Sequence, residues 1–303
     1  MFRKFTKIRI ISLILLIVVM TGILITGLKF NGGSNWFGKS GNNPSWAYKN
    51  KIVREENLDG IEKINFEMDV SEIILKTTDG NKIKVIERSD KKLKNDRILN
   101  ISKQGNELSY VEPKKRFTGF GIFWSTDKKV VEIYLPKEYK EKFKLQTDVG
   151  DLYVKSDLDL NEITLESDVG KILVERAINT KKLEVTSDVG DIKLSRAEAD
   201  DYKIQSDVGK VVLESILGKG SVHSEVGDVI CNLKRIDGDI DVSTDVGKII
   251  INIEKSQKFM LDAKSDVGKV ITNVDKNIFG DSGKTIKVRS DVGKIKLNYL
   301  SEE

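Results

Sequence analysis

The sequence has little cysteine, histidine or proline. Its 303 residues include one cysteine, one histidine and three prolines. The lone Cys231 excludes an intramolecular disulfide, and the lone His223 excludes a zinc site built from a histidine cluster. We expect Cys231 to pack in the core and His223 to be a solvated strand residue. Stability must therefore come from packing and from backbone pairing.

Acidic residues are absent from the first 54 positions. Nine basic residues precede the first acid, Glu55, and subtracting them from the net charge of +4 leaves −5 for residues 55–303. The chain is therefore a basic N-terminal segment joined to a mildly acidic body. Nucleic acid is not expected as a partner of that body, because phosphate binding needs concentrated positive charge.

An uncharged segment, residues 10–28, consists mostly of Ile, Leu and Val. As a helix it would span about 28 Å, close to the thickness of the hydrocarbon core of a membrane. Four basic residues lie within residues 1–9, so the positive-inside rule places that stub in the cytoplasm and the rest of the chain outside the cell membrane. A cleaved signal peptide is the alternative, but this segment is longer than usual and lacks a small-residue cleavage site. Residues 29–50, rich in Gly, Asn and Ser, are predicted to be a flexible tether.

A Ser/Thr-Asp-Val-Gly motif, once with Glu in place of Asp, recurs eight times at intervals of 18 to 25 residues. A degenerate copy, MDVSEI, occupies residues 68–73 and has Ser71 where the others have glycine. Such internal periodicity indicates a repeat architecture. The eight motif glycines are Gly150, Gly170, Gly190, Gly209, Gly227, Gly247, Gly268 and Gly293.

Apolar residues alternate with polar ones on both sides of each glycine. Around Gly170, for example, Leu165, Ile172 and Val174 hold the apolar positions. This two-residue period predicts a strand, a corner and a second strand in every unit. We therefore predict an all-β fold over residues 51–303, a single-stranded β-solenoid with rungs of about 20 residues and its regular repeats at about 143–300. By the same parity, the Ser/Thr and the Val of each motif should point inward.

The corner motif is typical of a type II turn with Asp first and Gly third, where φ must be positive. Each acid is expected to cap its own turn. Stacked carboxylates could instead bind Ca²⁺ or a cationic polymer, although one acid per corner favours capping. These acids are Asp148, Asp168, Asp188, Asp207, Glu225, Asp245, Asp266 and Asp291.

Stacking of the units in sequence order would align two polar columns. The residues after the glycines alternate in charge from Asp151 and Lys171 to Asp228 and Lys248, so they could pair between rungs. A second column would form an amide ladder. It consists of Asn232, Asn252, Asn273 and Asn298.

Residues 114–127, KKRFTGFGIFWSTD, interrupt the strand pattern with closely spaced aromatic residues. These residues could present a binding surface for a glycan, a peptide or a membrane, or they could cover the open end of the solenoid. They are Phe117, Phe120, Phe123 and Trp124.

The Ser-Asp-Val-Gly units, together with VVEIYLPKEY at Val130–Tyr139, resemble the bacterial putative adhesin family of β-strand repeats, domain of unknown function 4097. The resemblance covers roughly residues 55–300. It implies a β-repeat fold and a place at the cell envelope, and it implies no catalytic motif.

These features predict a non-enzymatic surface protein of the cell envelope, anchored in the membrane by its N-terminal helix and built as a rigid, adhesin-like binding module. No cofactor is expected, and the expected partners besides the membrane are cell-wall polymer or another envelope protein. A regulatory ectodomain of an envelope-stress sensing system is the alternative function. A polysaccharide-active β-helix enzyme is a third, less favoured because the repeats are too uniform to hold a cluster of catalytic acids.

Overall fold

The computed structural model describes residues 50–93, 95–113, 129–274 and 283–300. The predicted stub at 1–9, the anchor at 10–28 and all but the last residue of the tether lie outside the described residues. So does the aromatic segment at 114–127. None of the helical structure in the described ranges is long and apolar enough to cross a membrane. All described residues belong to one compact unit, Ser45–Glu303.

Within the described ranges the fold is all-β, as predicted, apart from one short 3-10 helix at Asn95–Arg97. Nineteen strands are joined in a single hydrogen-bonded sheet. In chain order they are β1 (Asn50–Asn57), β2 (Lys63–Val70), β3 (Glu72–Thr78), β4 (Lys82–Ser89), β5 (Asn100–Gln104), β6 (Glu107–Val111), β7 (Lys129–Pro136), β8 (Lys142–Val149), β9 (Leu152–Val154), β10 (Leu158–Val169), β11 (Ile172–Val189), β12 (Ile192–Val208), β13 (Val211–Val226), β14 (Val229–Val246), β15 (Ile249–Ile253), β16 (Met260–Val267), β17 (Val270–Thr272), β18 (Thr285–Val292) and β19 (Ile295–Tyr299).

Successive units stack as parallel strands in register, so that equivalent residues of the repeat lie side by side. Leu165 pairs with Leu145 on one side and with Val185 on the other. The inward positions of every rung join one continuous hydrophobic core that runs from Ile61 to Leu297. Apolar burial along this column is the main favourable term in the folding of such a stack.

The N-terminal end of the stack does not follow sequence order. The rung formed by β2 and β3, which contains the degenerate corner at Ser71, pairs in parallel with β8 and β9. Its other side pairs in parallel with β6 and β7, which come later in the chain but lie further out. Antiparallel strands then cover this end, with β5 on β6, β4 on β7 and β1 on β4. Among the described residues, these strands cover the end of the stack. Whether the aromatic segment forms a binding surface or adds to this cover stays open, because it lies outside those residues.

The C-terminal end departs from the predicted order in the same way. The last rung in sequence, β18 and β19, pairs with β14 and β15 and also with β16 and β17. The corners therefore stack in the order Gly247, Gly293, Gly268, and stacking in sequence order is wrong here. The spacing of 25 residues before Gly293 is the longest in the chain, and it gives the chain the length to return and insert its last rung.

Cysteine pairs distinguish the two possible orders. Ser243 and Arg289 are partners on adjacent strands, where Cα atoms about 4.8 Å apart allow a disulfide. Ser243 and Lys264 would be partners in sequence order, but each pairs with Arg289 from an opposite side. We expect S243C/R289C to crosslink under mild oxidation and S243C/K264C not to, as measured by non-reducing mass spectrometry. The reverse result would contradict the inserted rung. Native Cys231 should not compete, because burial raises its pKa to about 12.

Candidate binding surface at the repeat corners

Each motif glycine lies at the corner between two strands and takes part in the ladder there. The amide of Gly150 donates to the carbonyl of Val169 on the next rung, at 2.9 Å, and the same bond recurs at every other motif glycine except Gly268 of the outermost rung. Gly209 has φ of +158°, in a region that side chains rarely adopt. A Cβ on Gly209 would also overlap the carbonyl oxygen of Gly190 on the neighbouring rung. Only glycine lets consecutive corners approach this closely.

A buried hydroxyl completes the corner. The Oγ of Ser206 donates to the carbonyl of Gly190 on the neighbouring rung, at 3.4 Å, and it is fully buried. This confirms the inward direction predicted for the Ser/Thr of the motif. The same bond recurs at 2.8 to 3.4 Å from Ser167, Ser187, Ser224, Thr244, Ser265 and Ser290.

A carboxylate completes alternate corners from the other side. In a regular parallel ladder the amide of Lys171 would donate to the carbonyl of Gly150, but it donates instead to Oδ1 of Asp151, at 2.9 Å. Lys210 and Lys248 repeat this bond with Asp191 and Asp228. Asp151, Asp191 and Asp228 therefore each accept a backbone amide from the neighbouring rung. The predicted charge pairing between rungs is seen at one of these corners, where Nζ of Lys248 lies 3.6 Å from Asp228.

The corner is not the predicted type II turn, which would place φ of its glycine near about +80°. The five motif glycines with a φ in the positive range have values between +151° and +159°. The reason is that the amides of these five glycines bond to the next rung rather than back within their own turns. The ladder continues through the corner and keeps the backbone nearly extended.

The valine of each motif points outward, so its predicted inward direction is wrong. Val169 is 48% exposed and Val246 is 49% exposed. The backbone changes direction between the buried Ser/Thr and the glycine, which breaks the simple alternation that the parity argument assumed. We call the resulting in-register column the valine ridge. In spatial order it comprises Val70, Val149, Val169, Val189, Val208, Val226, Val246, Val292 and Val267.

An acid precedes each valine of the ridge, and these acids form what we call the acidic column. Burial raises the pKa of Asp188, and the neighbouring charges of Asp207 and Asp168 raise it further. The acids therefore interact electrostatically along the stack, and turn capping by them stays a prediction. No group of three or more His, Cys, Asp or Glu within the described ranges is placed to hold a metal ion. The column consists of Asp69, Asp148, Asp168, Asp188, Asp207, Glu225, Asp245, Asp291 and Asp266.

The predicted asparagine ladder forms with one change of order. Nδ2 of Asn252 donates to Oδ1 of Asn232 at 2.7 Å, and Nδ2 of Asn298 donates to Oδ1 of Asn252 at 2.9 Å. The inserted rung places Asn298 directly beside Asn252 and moves Asn273 one level further out. His223 is half-buried and its Nδ1 lies 2.9 Å from Oγ of Ser243.

The sequence analysis missed a buried ionic cluster at the N-terminal end. Nζ of Lys129 lies 3.1 Å from Glu87 and 3.2 Å from Glu112, and Nε of Arg97 lies 3.1 Å from Glu112. Oγ of Ser71 donates to Glu112 at 3.1 Å, so this cluster occupies the corner that lacks glycine. Glu112 and Lys129 thus form an ion pair although 16 residues separate them in the sequence. No periodic signal could reveal it, because its members come from four separate stretches of sequence.

A cavity of about 660 Å³ opens beside the first rungs. Its lining includes Lys137, Tyr139, Lys155, Asp159 and Arg176. Lys140, also in the lining, pairs with Asp159 at 2.8 Å. The named lining residues thus combine one aromatic ring and one carboxylate with four cations.

Replacing a corner glycine tests this geometry. Gly209→Ala should lower the free energy of unfolding by more than about 2 kcal/mol, because its Cβ overlaps backbone and its φ is strained. Gly105→Ala is the control, since φ is +60° there and nothing lies within 4 Å of its Cβ; it should lose about 1 kcal/mol from strain alone. Urea denaturation measures both variants. Equal losses would show that the corners do not need close approach.

Comparison with known proteins supports the fold. The model of the family described as Toastrack, domain of unknown function 4097, matches residues 61–301. A crystal structure of a putative adhesin from Bacteroides fragilis NCTC 9343 aligns with a TM-score of 0.50 and 18% identity, over 83% of this chain and 98% of that one. Another from Parabacteroides merdae ATCC 43184 aligns with a TM-score of 0.53 and 12% identity, over 84% and 97%.

A third solved structure, of a putative adhesin from Parabacteroides distasonis ATCC 8503, aligns with a TM-score of 0.52 and 13% identity, over 83% of this chain and 97% of that one. No curated protein sequence matches significantly. The solved chains consist almost wholly of the part they share with this protein, so that part constitutes a complete fold. The family model covers well over half of the sequence, and the chain belongs to the Toastrack family, domain of unknown function 4097.

Proposed function

We propose that this protein is a non-enzymatic surface module of the cell envelope whose rigid β-solenoid binds an extended partner. The observation that carries the proposal is the unbroken parallel ladder, which repeats the same outward side chains at every rung. A flat or globular ligand would use only a few of these positions. An extended partner could use them all.

The length and regularity of the stack support this function. The valine ridge has nine members, so at about 4.8 Å per rung it extends for about 38 Å. The in-register hydrogen bonds and the continuous core hold these positions at fixed spacing. Such a surface loses little conformational entropy on binding.

The comparisons support the same class of function. The solved relatives are described as putative adhesins, and they share this fold over nearly their whole length. We propose by analogy that this chain also acts by contact at a surface. Residues 10–28 would anchor it in the membrane with residues 29–303 outside, and its partner would be another envelope protein or cell-wall polymer.

Binding of the isolated domain to the envelope tests the proposal. Ser45–Glu303 is a compact unit with its own core, so it can be produced alone and labelled. We expect saturable binding to isolated envelope fragments that excess unlabelled domain displaces, as measured by co-sedimentation. Prior digestion of the fragments with a protease or with a muramidase tells a protein partner from a wall polymer.

Absence of saturable binding would overturn the proposed function. If deletion of the protein also changed the output of an envelope-stress reporter, the regulatory ectodomain would be favoured instead. Heat-unfolded domain is the control for adsorption by exposed apolar surface.

A further inference from the structure

We infer that the valine ridge and the acidic column together form a docking surface for a basic amphipathic helix of a partner protein. The inference rests on the proposed function and names the surface and the chemistry of the partner. It follows from the exposure of the valines, the sign of the neighbouring charges and the spacing of the rungs.

The valine ridge holds most of the large apolar side chains that the described residues expose. Of eleven such side chains, seven belong to it, and Val267 is 65% exposed. The corner hydrogen bonds are made by the Ser/Thr hydroxyl, by the backbone and by Asp after the glycine. Because the valine side chain makes none of them, the corner does not require an apolar residue there. Val189 and Val208, in the middle of the ridge, are half-buried, so the ridge is a line of exposed and half-exposed valines. An apolar line of this kind on the surface marks an interaction site.

The acidic column places negative charge beside the valine ridge. Nine acids, one per valine, run along the side preceding the valines. The column after the glycines mixes signs, with Asp151, Asp191 and Asp228 alternating with lysines. Burial raises the pKa of Asp188, and the charges of Asp207 and Asp168 on the adjacent rungs raise it further. A partner must therefore combine apolar side chains with cations, whereas a second copy of the ridge or an anionic membrane would be repelled.

The rung spacing selects the conformation of the partner. Corners recur every 4.7–4.9 Å along a β-stack, about 4.8 Å on average, and turns of an α-helix recur every 5.4 Å, or about 0.6 Å more. A strand presents the same face only every 6.6–6.8 Å, or about 2 Å more. A helix laid along the ridge thus keeps one apolar residue and one cation near each rung for about four turns. An extended strand loses register within two rungs.

Designed peptides supply a defined probe. We expect an 18-residue amphipathic helix of Leu and Lys to bind the Ser45–Glu303 domain saturably in fluorescence anisotropy. A peptide of the same composition with the amphipathic order scrambled should bind at least about tenfold more weakly, as should a Leu/Glu helix. Affinity of the Leu/Lys helix should fall with salt, because ion pairs contribute.

Matched variants locate the surface. V169T/V189T/V208T removes apolar surface from the ridge, and D168N/D188N/D207N removes three charges from the acidic column. Each should weaken binding of the Leu/Lys helix by about tenfold. D79N/D90N/D200N removes the same charge from exposed acids elsewhere and should change affinity less than about twofold. Circular dichroism checks folding, and since all these side chains lie outside the buried core, unfolding is not expected.

Three outcomes of the peptide experiments would overturn the inference. These are equal binding of the scrambled peptide, equal weakening by D79N/D90N/D200N, and unchanged binding by the valine variant. Saturable binding to vesicles of anionic phospholipid that the ridge variants abolish would overturn it in favour of a membrane. Envelope binding that persists in both ridge variants would refute this surface while leaving the proposed function intact.

Discussion

The structure depends on one contact, in which the corner of each rung sits directly against the corner of the next. The contact requires that no Cβ stand between the two glycines, as at Gly209 and Gly190. It turns the glycine carbonyl toward the core, where the hydroxyl of Ser206 satisfies it. A buried carbonyl without a partner would cost free energy at every rung. The glycine thus permits the close approach of the corners, and the serine three residues earlier satisfies the carbonyl of the neighbouring corner. Their fixed spacing in the motif follows from these two roles.

The contact between corners is the same for any two units. It therefore does not fix the order of the rungs, which other features of the chain must decide. Nothing in the corner tells Gly268 from Gly293, so connector length decides which unit lies next to Gly247. The same freedom lets β6 and β7 pack outside β2 and β3. At that end the glycine–serine pair is absent, and the buried cluster of Glu87, Lys129 and Glu112 takes its place. Antiparallel strands then end the parallel ladder.

Much of the fold could be predicted from the periodicity of the sequence. The predictions failed for features that the periodicity does not determine. The period gave the strands, the corners, the inward Ser206 and the pairing of Asn232 with Asn252. It misplaced the valines because parity counts residues and ignores a change of direction in the backbone. It could not order the last two rungs, whose motifs are alike, nor find Lys129 among unrelated lysines. Because the valines were predicted to point inward, they were assigned to the core, and the valine ridge could not be recognised as a binding surface.

Unfolding of Ser206 variants tests most directly whether the corner contact holds the stack together. Ser206→Ala removes the buried hydroxyl that donates to the carbonyl of Gly190 and should lower the free energy of unfolding by about 1–3 kcal/mol. Ser206→Thr keeps the hydroxyl, as Thr244 does natively with Gly227 at 3.0 Å, and should stay within about 1 kcal/mol of the natural protein. If Ser206→Ala unfolds at the same urea concentration as the natural protein, the hydroxyl contributes nothing and this account of the motif is wrong.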